Sequence, residues 1–263
     1  MKKIIIGDLH GNFTGLNTIL ERSKYDPTTD KLIFVGDYID GFPGNDFSAK
    51  KVIDKIIELK KENKNIITLI GNHDWWMLEW IKIGNKEPRS IWYNQGGKET
   101  LKSYGIKNPF PQYTLEKENI PNSHKKFLEN LMPSYYDDKI VVVHGGFRNK
   151  MDMLNVFENV PLKDFTLEYP MNKFSTPAWP VYNILWERDF YRTGVKSLLD
   201  SYKDIFGNKI FICGHTPRGP SHTKKNVIRY LIDGGSNGGG NLTGLVIENG
   251  KCEVVVAIHH LKQ

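Results

Sequence analysis

The feature of this sequence that most constrains its fold is a short pattern that occurs five times. Each time, a run of apolar residues ends and is followed, usually through a glycine, by side chains that can bind a metal ion. The five segments are residues 4–10, 34–40, 69–74, 141–144 and 211–215. Short, continuous apolar runs are typical of strands that are buried on both faces of a sheet. The pattern therefore predicts an α/β protein with polar groups at one end of its strands.

The first third of the chain alternates between apolar runs and amphipathic segments. Strands are predicted at residues 3–7, 32–36 and 66–70, and helices at 13–24, 49–64 and 75–83. This order favours a parallel sheet with crossover helices. Later, a helix is predicted at residues 122–131, strands at 140–143, 210–213, 227–232, 243–248 and 251–258, and an irregular loop at 165–180. The last two strands join through Asn249-Gly250, which is a strong hairpin signal.

Composition and charge limit the class of protein and its partners. Hydrophobic residues make up 39% and charged residues 25% of the 263 positions, which excludes a largely disordered chain. No apolar run reaches the roughly 18 residues that span a bilayer, and the apolar start of the chain is too short for a secretory signal. Two cysteines, Cys213 and Cys252, do not make a disulfide framework. We therefore expect a cytoplasmic protein with no membrane partner. The net charge of +6 is dispersed, so a nucleic-acid partner is not expected.

The polar groups that follow the five apolar runs form a set suited to divalent metal ions. In open α/β sheets, ligands bind just beyond the carboxyl ends of the strands. The candidate ligands are Asp8, His10, Asp37, Asn72, His144 and His215. Carboxylate, amide and imidazole donors suit manganese, iron or zinc better than metals that prefer thiolates. One aspartate or histidine at such a place is more often a turn or cap residue, but five such places in one chain favour a metal site.

These segments resemble the calcineurin-like metallophosphoesterases. The motifs that carry the resemblance are Gly7-Asp8-Leu9-His10-Gly11, Gly36-Asp37-Tyr38-Ile39-Asp40, Gly71-Asn72-His73-Asp74, His144-Gly145-Gly146 and Gly214-His215-Thr216-Pro217. Within that superfamily, the chain looks most like the phosphoprotein phosphatase branch, which includes bacterial and phage (lambda-type) serine/threonine phosphatases and the symmetrical dinucleoside tetraphosphatases. Residues 92–101, 185–188 and 232–235 support this branch.

The resemblance implies a fold and a pair of cofactors. The fold is a four-layer α/β/β/α sandwich of two mixed sheets, which we expect residues 1–263 to form as a single domain. The cofactors are two divalent metal ions, with manganese expected and iron or zinc as the alternatives. Asp8, His10 and Asp37 would hold the first ion, and Asp37 would bridge to the second, held also by Asn72, His144 and His215.

The resemblance also implies a reaction. A hydroxide that bridges the two ions would attack phosphorus in line. His73 would protonate the leaving oxygen, and Asp40 would orient and stabilise the charged imidazole. Arg188 and Asn72 would bind the substrate phosphate.

Two positions depart from the pattern of the protein phosphatases in this branch. Gly41 stands where an arginine usually binds the substrate phosphate, and Arg89, Arg148 and Arg218 are the candidates to replace it. Asp74 stands where the protein phosphatases usually have glutamate, and an aspartate at this position resembles the pattern of the tetraphosphatases. The tryptophans that follow, at positions 75, 76 and 80, either pack in the core or hold a nucleobase.

The expected function is the hydrolysis of phosphomonoesters, with a serine/threonine protein phosphatase as the first hypothesis. A symmetrical dinucleoside tetraphosphate hydrolase is the alternative, and a nucleic-acid phosphodiesterase is the second alternative. The expected partner is accordingly a phosphorylated protein or a nucleotide.

Overall fold

The computed structural model of the chain describes residues 1–41, 47–83, 92–106, 119–156, 180–192, 194–224 and 226–258. Within these residues, ten strands form two five-stranded sheets. Strands and helices are numbered separately in chain order. None of the helices in this part of the chain is long and apolar enough to cross a membrane.

The first sheet combines strands from the two ends of the sequence. Its strands are β1 (Lys3–Ile6), β2 (Lys31–Phe34), β3 (Ile66–Thr68), β9 (Leu242–Glu248) and β10 (Lys251–Ala257), in the spatial order β10-β9-β1-β2-β3. The first three strands are parallel to one another, while β9 and β10 add an antiparallel hairpin. Helices α1 (Phe13–Arg22) and α2 (Ala49–Glu62) connect the parallel strands, and α3 (Asn72–Ile83) follows β3.

The second sheet is built from the later part of the chain. Its strands are β4 (Ser134–Tyr136), β5 (Ile140–Val143), β6 (Ile210–Cys213), β7 (Ser221–Thr223) and β8 (Arg229–Leu231), in the spatial order β4-β5-β6-β8-β7. The three central strands are parallel, and β4 and β7 are antiparallel edges. Helices α4 (Lys98–Ser103) and α5 (Asn122–Glu129) precede this sheet in the chain. Helices α6 (Lys150–Val156), α7 (Pro180–Trp186), α8 (Asp189–Arg192) and α9 (Lys196–Phe206) lie between β5 and β6.

The two sheets pack against each other through one face of each. Ile5 and Ile33 of the first sheet share an apolar cluster with Val142 and Ile212 of the second. The opposite face of the first sheet packs on α1, α2 and α3, and the opposite face of the second packs on α6, α7 and α9. Because the central strands β1 and β5 are buried on both faces, their continuous apolar runs are explained. The predicted α/β/β/α sandwich of two mixed sheets is confirmed.

The structure differs from the sequence prediction mainly at element ends and in short elements. Helix α3 begins at Asn72, not at residue 75, because its first turn is polar and lies outside the apolar periodicity. The short strands β4 and β7 and the helices α4, α6, α7, α8 and α9 were not predicted. The loop predicted at residues 165–180 lies outside the described residues up to position 179, and Pro180 begins α7. The hairpin at Asn249-Gly250 is confirmed.

Candidate active site

The carboxyl ends of β1, β2, β3, β5 and β6 bring the predicted site residues together. The loops after these strands supply Asp8 and His10, Asp37 and Asp40, His144, and His215, while Asn72 and His73 begin α3. None of these eight residues is more than 8% exposed. They belong to both sheets, so the site lies where the two sheets meet. Each side chain is fixed by a strand that is itself in the core.

The backbone at this edge is held in an uncommon conformation. His10, Asp37, Asp40 and His215 have positive φ angles of 45°, 53°, 65° and 65°. L-residues rarely adopt this region, and such residues concentrate at functional sites because the surrounding structure must hold them there. Asp74 helps to hold the loop after β2, which we call the β2 loop, in this conformation. Its buried carboxylate accepts hydrogen bonds from the backbone N–H groups of Asp37 (2.7 Å) and Tyr38 (3.0 Å) in that loop, and from that of Gly71 (2.9 Å) after β3.

Asp37 lies between two groups of potential ligands. Its Oδ2 atom is 3.5 Å from Nε2 of His10 on one side and 3.4 Å from Nε2 of His144 on the other. On the second side, Oδ1 of Asn72 is 3.0 Å from Nε2 of His144 and 2.9 Å from Nδ1 of His215. The carboxylate of Asp37 is therefore in the position of a bridge between the two groups.

The histidine rings are oriented with one nitrogen toward the site. Nδ1 of His10 is 2.9 Å from the carbonyl of Ile39, and Nδ1 of His144 is 3.0 Å from the carbonyl of Val35. A carbonyl can only accept, so each Nδ1 carries a proton, and each Nε2 faces Asp37. Burial lowers the pKa of His144, but Asp37 outweighs burial and raises it to about 9. Ligand histidines in metal sites are commonly fixed by this kind of contact. Burial lowers the pKa of His10 to about 4, which keeps that ring neutral.

Two buried polar atoms at the site also fit a cation. Among the described residues, neither Oδ1 of Asp8 nor Nε2 of His215 has a hydrogen-bond partner. The other carboxylate oxygen of Asp8 accepts from the backbone N–H of His215 at 2.8 Å. Burial, and then the nearby Asp233, raises the pKa of Asp8, so the anion is poorly compensated by the protein alone. Buried unpaired acceptors are costly, and a bound cation removes that cost. The residues present therefore fit divalent metal ions.

Two triplets bring candidate ligand atoms within 4.8 Å of one another: His10, Asp37 and His73, and Asp37, His144 and His215. Asp37 belongs to both triplets. The first triplet contains His73, which the sequence prediction kept apart from the ligands, whereas Asp8 is in neither. One ring nitrogen of His73 is already engaged, because Nδ1 lies 2.7 Å from Oδ2 of Asp40. Burial lowers the pKa of His73, but the carboxylates of Asp37 and Asp40 outweigh burial and raise it to about 9.

The two departures from the phosphatase pattern have structural consequences. Asp74 is completely buried beneath the β2 loop and bonds to its backbone, so it does not discriminate between substrates by contact. At Gly41, a Cβ atom would lie 2.2 Å from the carbonyl oxygen of His10, so this backbone accepts only glycine there. No arginine can therefore extend from position 41 in this conformation.

Arg188 follows the end of α7 and is exposed. Its guanidinium is close enough to act electrostatically on His215 and Asp233. Of the other candidates, Arg148 lies 3.7 Å from Glu187 and is half-exposed, and Arg218 is exposed in the segment after His215. Arg89 lies outside the described residues.

The tryptophans of α3 divide between the core and the site. Trp75 and Trp80 are buried, which agrees with the core interpretation. Trp76 is only partly buried and meets His73 edge-on, with ring centroids 4.9 Å apart. The ring of Trp186 also packs on Trp76, with centroids 6.0 Å apart. An aromatic surface thus borders the His73 side of the site.

Comparisons with known proteins agree with this fold and show the family. The family described as calcineurin-like phosphoesterase matches residues 1–231. The chain therefore belongs to the calcineurin-like phosphoesterase family, a family of metal-dependent hydrolases.

Two sequence relatives are named for different activities. One is the Shewanella-like protein phosphatase 1 of Plasmodium berghei, which is 25% identical and aligns over 89% of this chain and 67% of its own length. The other is the symmetrical bis(5'-nucleosyl)-tetraphosphatase of Actinobacillus succinogenes, 36% identical over 78 residues. That match covers 30% of this chain and only 26% of the tetraphosphatase.

A solved structure, the cold-active protein-tyrosine phosphatase of a psychrophilic Shewanella species, has the same fold. Its TM-score is 0.59 at 18% identity, over 98% of this chain and 80% of that one.

Proposed function

We propose that this protein hydrolyses phosphomonoesters with two divalent metal ions, as a serine/threonine protein phosphatase. The observation that carries the proposal is the position of Asp37, whose carboxylate lies between His10 and His144 with 3.5 Å and 3.4 Å contacts. Under this proposal, the first ion is held by Asp8, His10 and Asp37, and the second by Asp37, Asn72, His144 and His215. We propose manganese as the ion, because mixed oxygen and nitrogen donors accept it and no thiolate is part of the set.

The chemistry divides between the ions and the side chains. Divalent ions bound in such a pair polarise phosphoryl oxygens and activate water as the nucleophile. His73 donates a proton to the leaving oxygen, and its 2.7 Å contact with the carboxylate of Asp40 favours the protonated ring. Asp40 holds Nδ1 of that ring and compensates its charge. Arg188 and the amide of Asn72 bind the phosphate and fix it for in-line attack.

Two observations support a phosphoprotein as the substrate. The protein phosphatase relative aligns over 89% of this chain, whereas the tetraphosphatase match covers 30%. Asp74, one of the sequence features that favour a dinucleotide along with Gly41 and the tryptophan cluster, is buried and bonded to the backbone of the loop after β2. The free thiols of Cys213 and Cys252 support a reducing, cytoplasmic location for such an enzyme.

A symmetrical dinucleoside tetraphosphate hydrolase is the second candidate function. The partly buried Trp76 favours it, because this ring borders His73 and a nucleobase can stack on an exposed indole face. The leaving group of any substrate must lie next to His73 to receive a proton. A base attached to that leaving group would therefore be within reach of Trp76 and Trp186.

One comparison of substrates tests both candidates. The manganese-loaded protein is assayed with a phosphoserine peptide, diadenosine tetraphosphate and bis-p-nitrophenyl phosphate, ranked by kcat/KM. We expect the peptide to be preferred. Preference for the dinucleotide would establish the second candidate, and preference for the diester with activity that falls steeply with salt would establish a nucleic-acid phosphodiesterase. The variant Asp37→Asn, prepared in parallel, controls for a contaminating phosphatase.

A further inference from the structure

Side chains from residues 92–101 surround the carboxylate of Asp40. Oδ2 of Asp40 accepts a hydrogen bond from Nε1 of Trp92 at 2.7 Å, in addition to the contact with His73. Oδ1 accepts from the hydroxyl of Thr100 at 2.6 Å. The same hydroxyl oxygen accepts from the backbone N–H of Asp40 at 2.8 Å. Asp40 is thus tied to Thr100 at both its side chain and its backbone.

The segment between Trp92 and Thr100 is shaped to approach Asp40. Residues Tyr93–Gly97 form a sharply kinked turn, in which the backbone at Gln95 and Gly96 is not helical. Gly96 has φ of 110°, and a Cβ atom there would lie 2.8 Å from Cβ of Asp40. The turn therefore lets the backbone pass directly over Asp40 while Trp92 and Thr100 reach it from either side.

We propose that Trp92 and Thr100 are positioning residues for His73, which they orient by holding the carboxylate of Asp40. Neither side chain contacts His73 in the hydrogen bonds of the structure, and both are buried, at 3% and 1% exposed. The inference rests on the proposed role of His73 as the proton donor. It gives residues 92–101 a function that the sequence pattern alone did not supply.

The physical reason lies in the isolation of Asp40. A carboxylate with no exposed surface and one partner could rotate or take up a proton, and either change would release the imidazole. Two neutral donors satisfy the oxygens that His73 leaves free, and hydrogen bonds to a charged group are the stronger ones. The carboxylate then has one orientation, and the ring of His73 is held in one plane with its Nε2 directed away from Asp40.

The test uses the protein with Thr100→Val, which removes one donor and keeps the volume, and with Trp92→Phe, which removes the other donor and leaves a smaller aromatic ring in place. We expect kcat for phenyl phosphate, which has a poor leaving group, to fall about 10–100-fold, in the range found for partners of active-site ligands. The value for p-nitrophenyl phosphate, with a good leaving group, should fall much less, and KM should not change. Thr100→Ser keeps the hydroxyl and should restore the wild-type ratio of the two rates.

A double variant and a control separate positioning from general damage. If Thr100 acts through Asp40, then Asp40→Asn with Thr100→Val should be no slower than Asp40→Asn alone. Tyr104→Phe is the matched control, because it removes a buried 2.8 Å hydrogen bond, to Nδ1 of His124, just after α4. This variant should keep the wild-type ratio of rates. An equal loss for both esters, or the same change in Tyr104→Phe, would overturn the inference.

A second measurement is independent of turnover. In the metal-free protein, the imidazole N–H signals are recorded by proton–nitrogen NMR, and the His73 signal is identified from its absence in His73→Gln. We expect the Nδ1 proton to shift or to exchange faster in Thr100→Val and Trp92→Phe, but not in Tyr104→Phe. An unchanged signal in both variants would overturn the inference. A wild type that hydrolyses neither ester would contradict the proposed function alone, and this spectrum would still decide the positioning role.

Discussion

Nδ1 of His73 lies 2.7 Å from Oδ2 of Asp40, and no part of Asp40 is exposed to solvent. The backbone N–H of the same histidine donates to Oδ1 of Asp37 at 3.0 Å. The ring and the main chain of His73 are therefore each held by a different carboxylate. This arrangement raises the pKa of the ring and fixes its orientation, which are the two properties a proton donor needs.

The first prediction concerns this proton donor. His73→Ala should leave both metal ions bound and lower kcat for a phosphoserine peptide by about 10²–10⁴-fold, the usual contribution of general acid catalysis. The loss should be smaller for p-nitrophenyl phosphate, whose leaving group needs little protonation. Full activity on the peptide would contradict the role. A loss of bound metal by elemental analysis would instead identify His73 as a ligand, as its place in the first triplet allows.

The second prediction concerns the bridging position of Asp37. Asp37→Asn removes the charge that lies between His10 and His144, so the protein should retain fewer than two ions after dialysis. Elemental analysis of the dialysed protein measures this directly. Asp200→Asn is the control, since Asp200 is half-exposed and paired with Lys196 on the surface. Two ions bound to Asp37→Asn, as in the control, would show that Asp37 does not bridge.

The site residues at the strand ends could be predicted from the sequence because two local signals coincide there. A buried strand reads as a continuous apolar run, and the polar residue after it breaks that run sharply, as in the segments before Asp8 and Asp37. The direction of parallel strands then predicts that these residues meet. The same reasoning placed the start of α3 too late, because Asn72 and His73 carry no apolar periodicity.

The contacts around Asp40 could not be predicted in this way. Trp92 and Thr100 are 52 and 60 positions away from it in the chain, and they lie just before a kinked turn and in a short helix, which have no strong sequence pattern. Nor could the sequence show that Asp74 bonds to the backbone of the loop after β2. An acidic residue in the first turn of a helix commonly interacts with the positive end of the helix dipole, so its presence there does not indicate a bond to another loop. The single-domain organisation of residues 1–263 stays a prediction.

The third prediction concerns position 41. Because a Cβ atom there would lie 2.2 Å from the carbonyl of His10, Gly41→Ala should shift the loop that carries His10. We expect a lower melting temperature and weaker metal retention, and Gly41→Arg should not gain affinity for phosphate. Gly238→Ala is the control, because a Cβ atom at that glycine meets nothing within 4 Å. Tighter inhibition by inorganic phosphate in Gly41→Arg would show that the loop can accommodate a phosphate-binding arginine.

The fourth prediction uses a buried histidine away from the candidate metal ligands. His124 is 1% exposed, and its Nδ1 and Nε2 atoms each lie 2.8 Å from a partner, the hydroxyl of Tyr104 and Oδ1 of Asp54. Asp54 accepts from Nε2, so the neutral ring can accept from Tyr104 at Nδ1. Burial lowers the pKa of His124 below its ordinary value of 6.5, although Asp54 opposes this. The folded protein therefore favours the neutral ring.

The sign of the pH effect follows from this shift. Below pH 6.5, the unfolded chain binds a proton at His124 more readily than the folded protein does, so stability should fall as the pH is lowered from 7 toward 5. Thermal unfolding of the chelator-treated protein across this range measures the slope. His124→Gln should be less stable at pH 7, by about 1–3 kcal/mol for the lost buried hydrogen bonds, and should have a shallower slope. The exposed His222→Gln should match the wild type. An equal slope in His124→Gln and the wild type would mean that His124 is protonated as easily in the folded protein as in the unfolded chain.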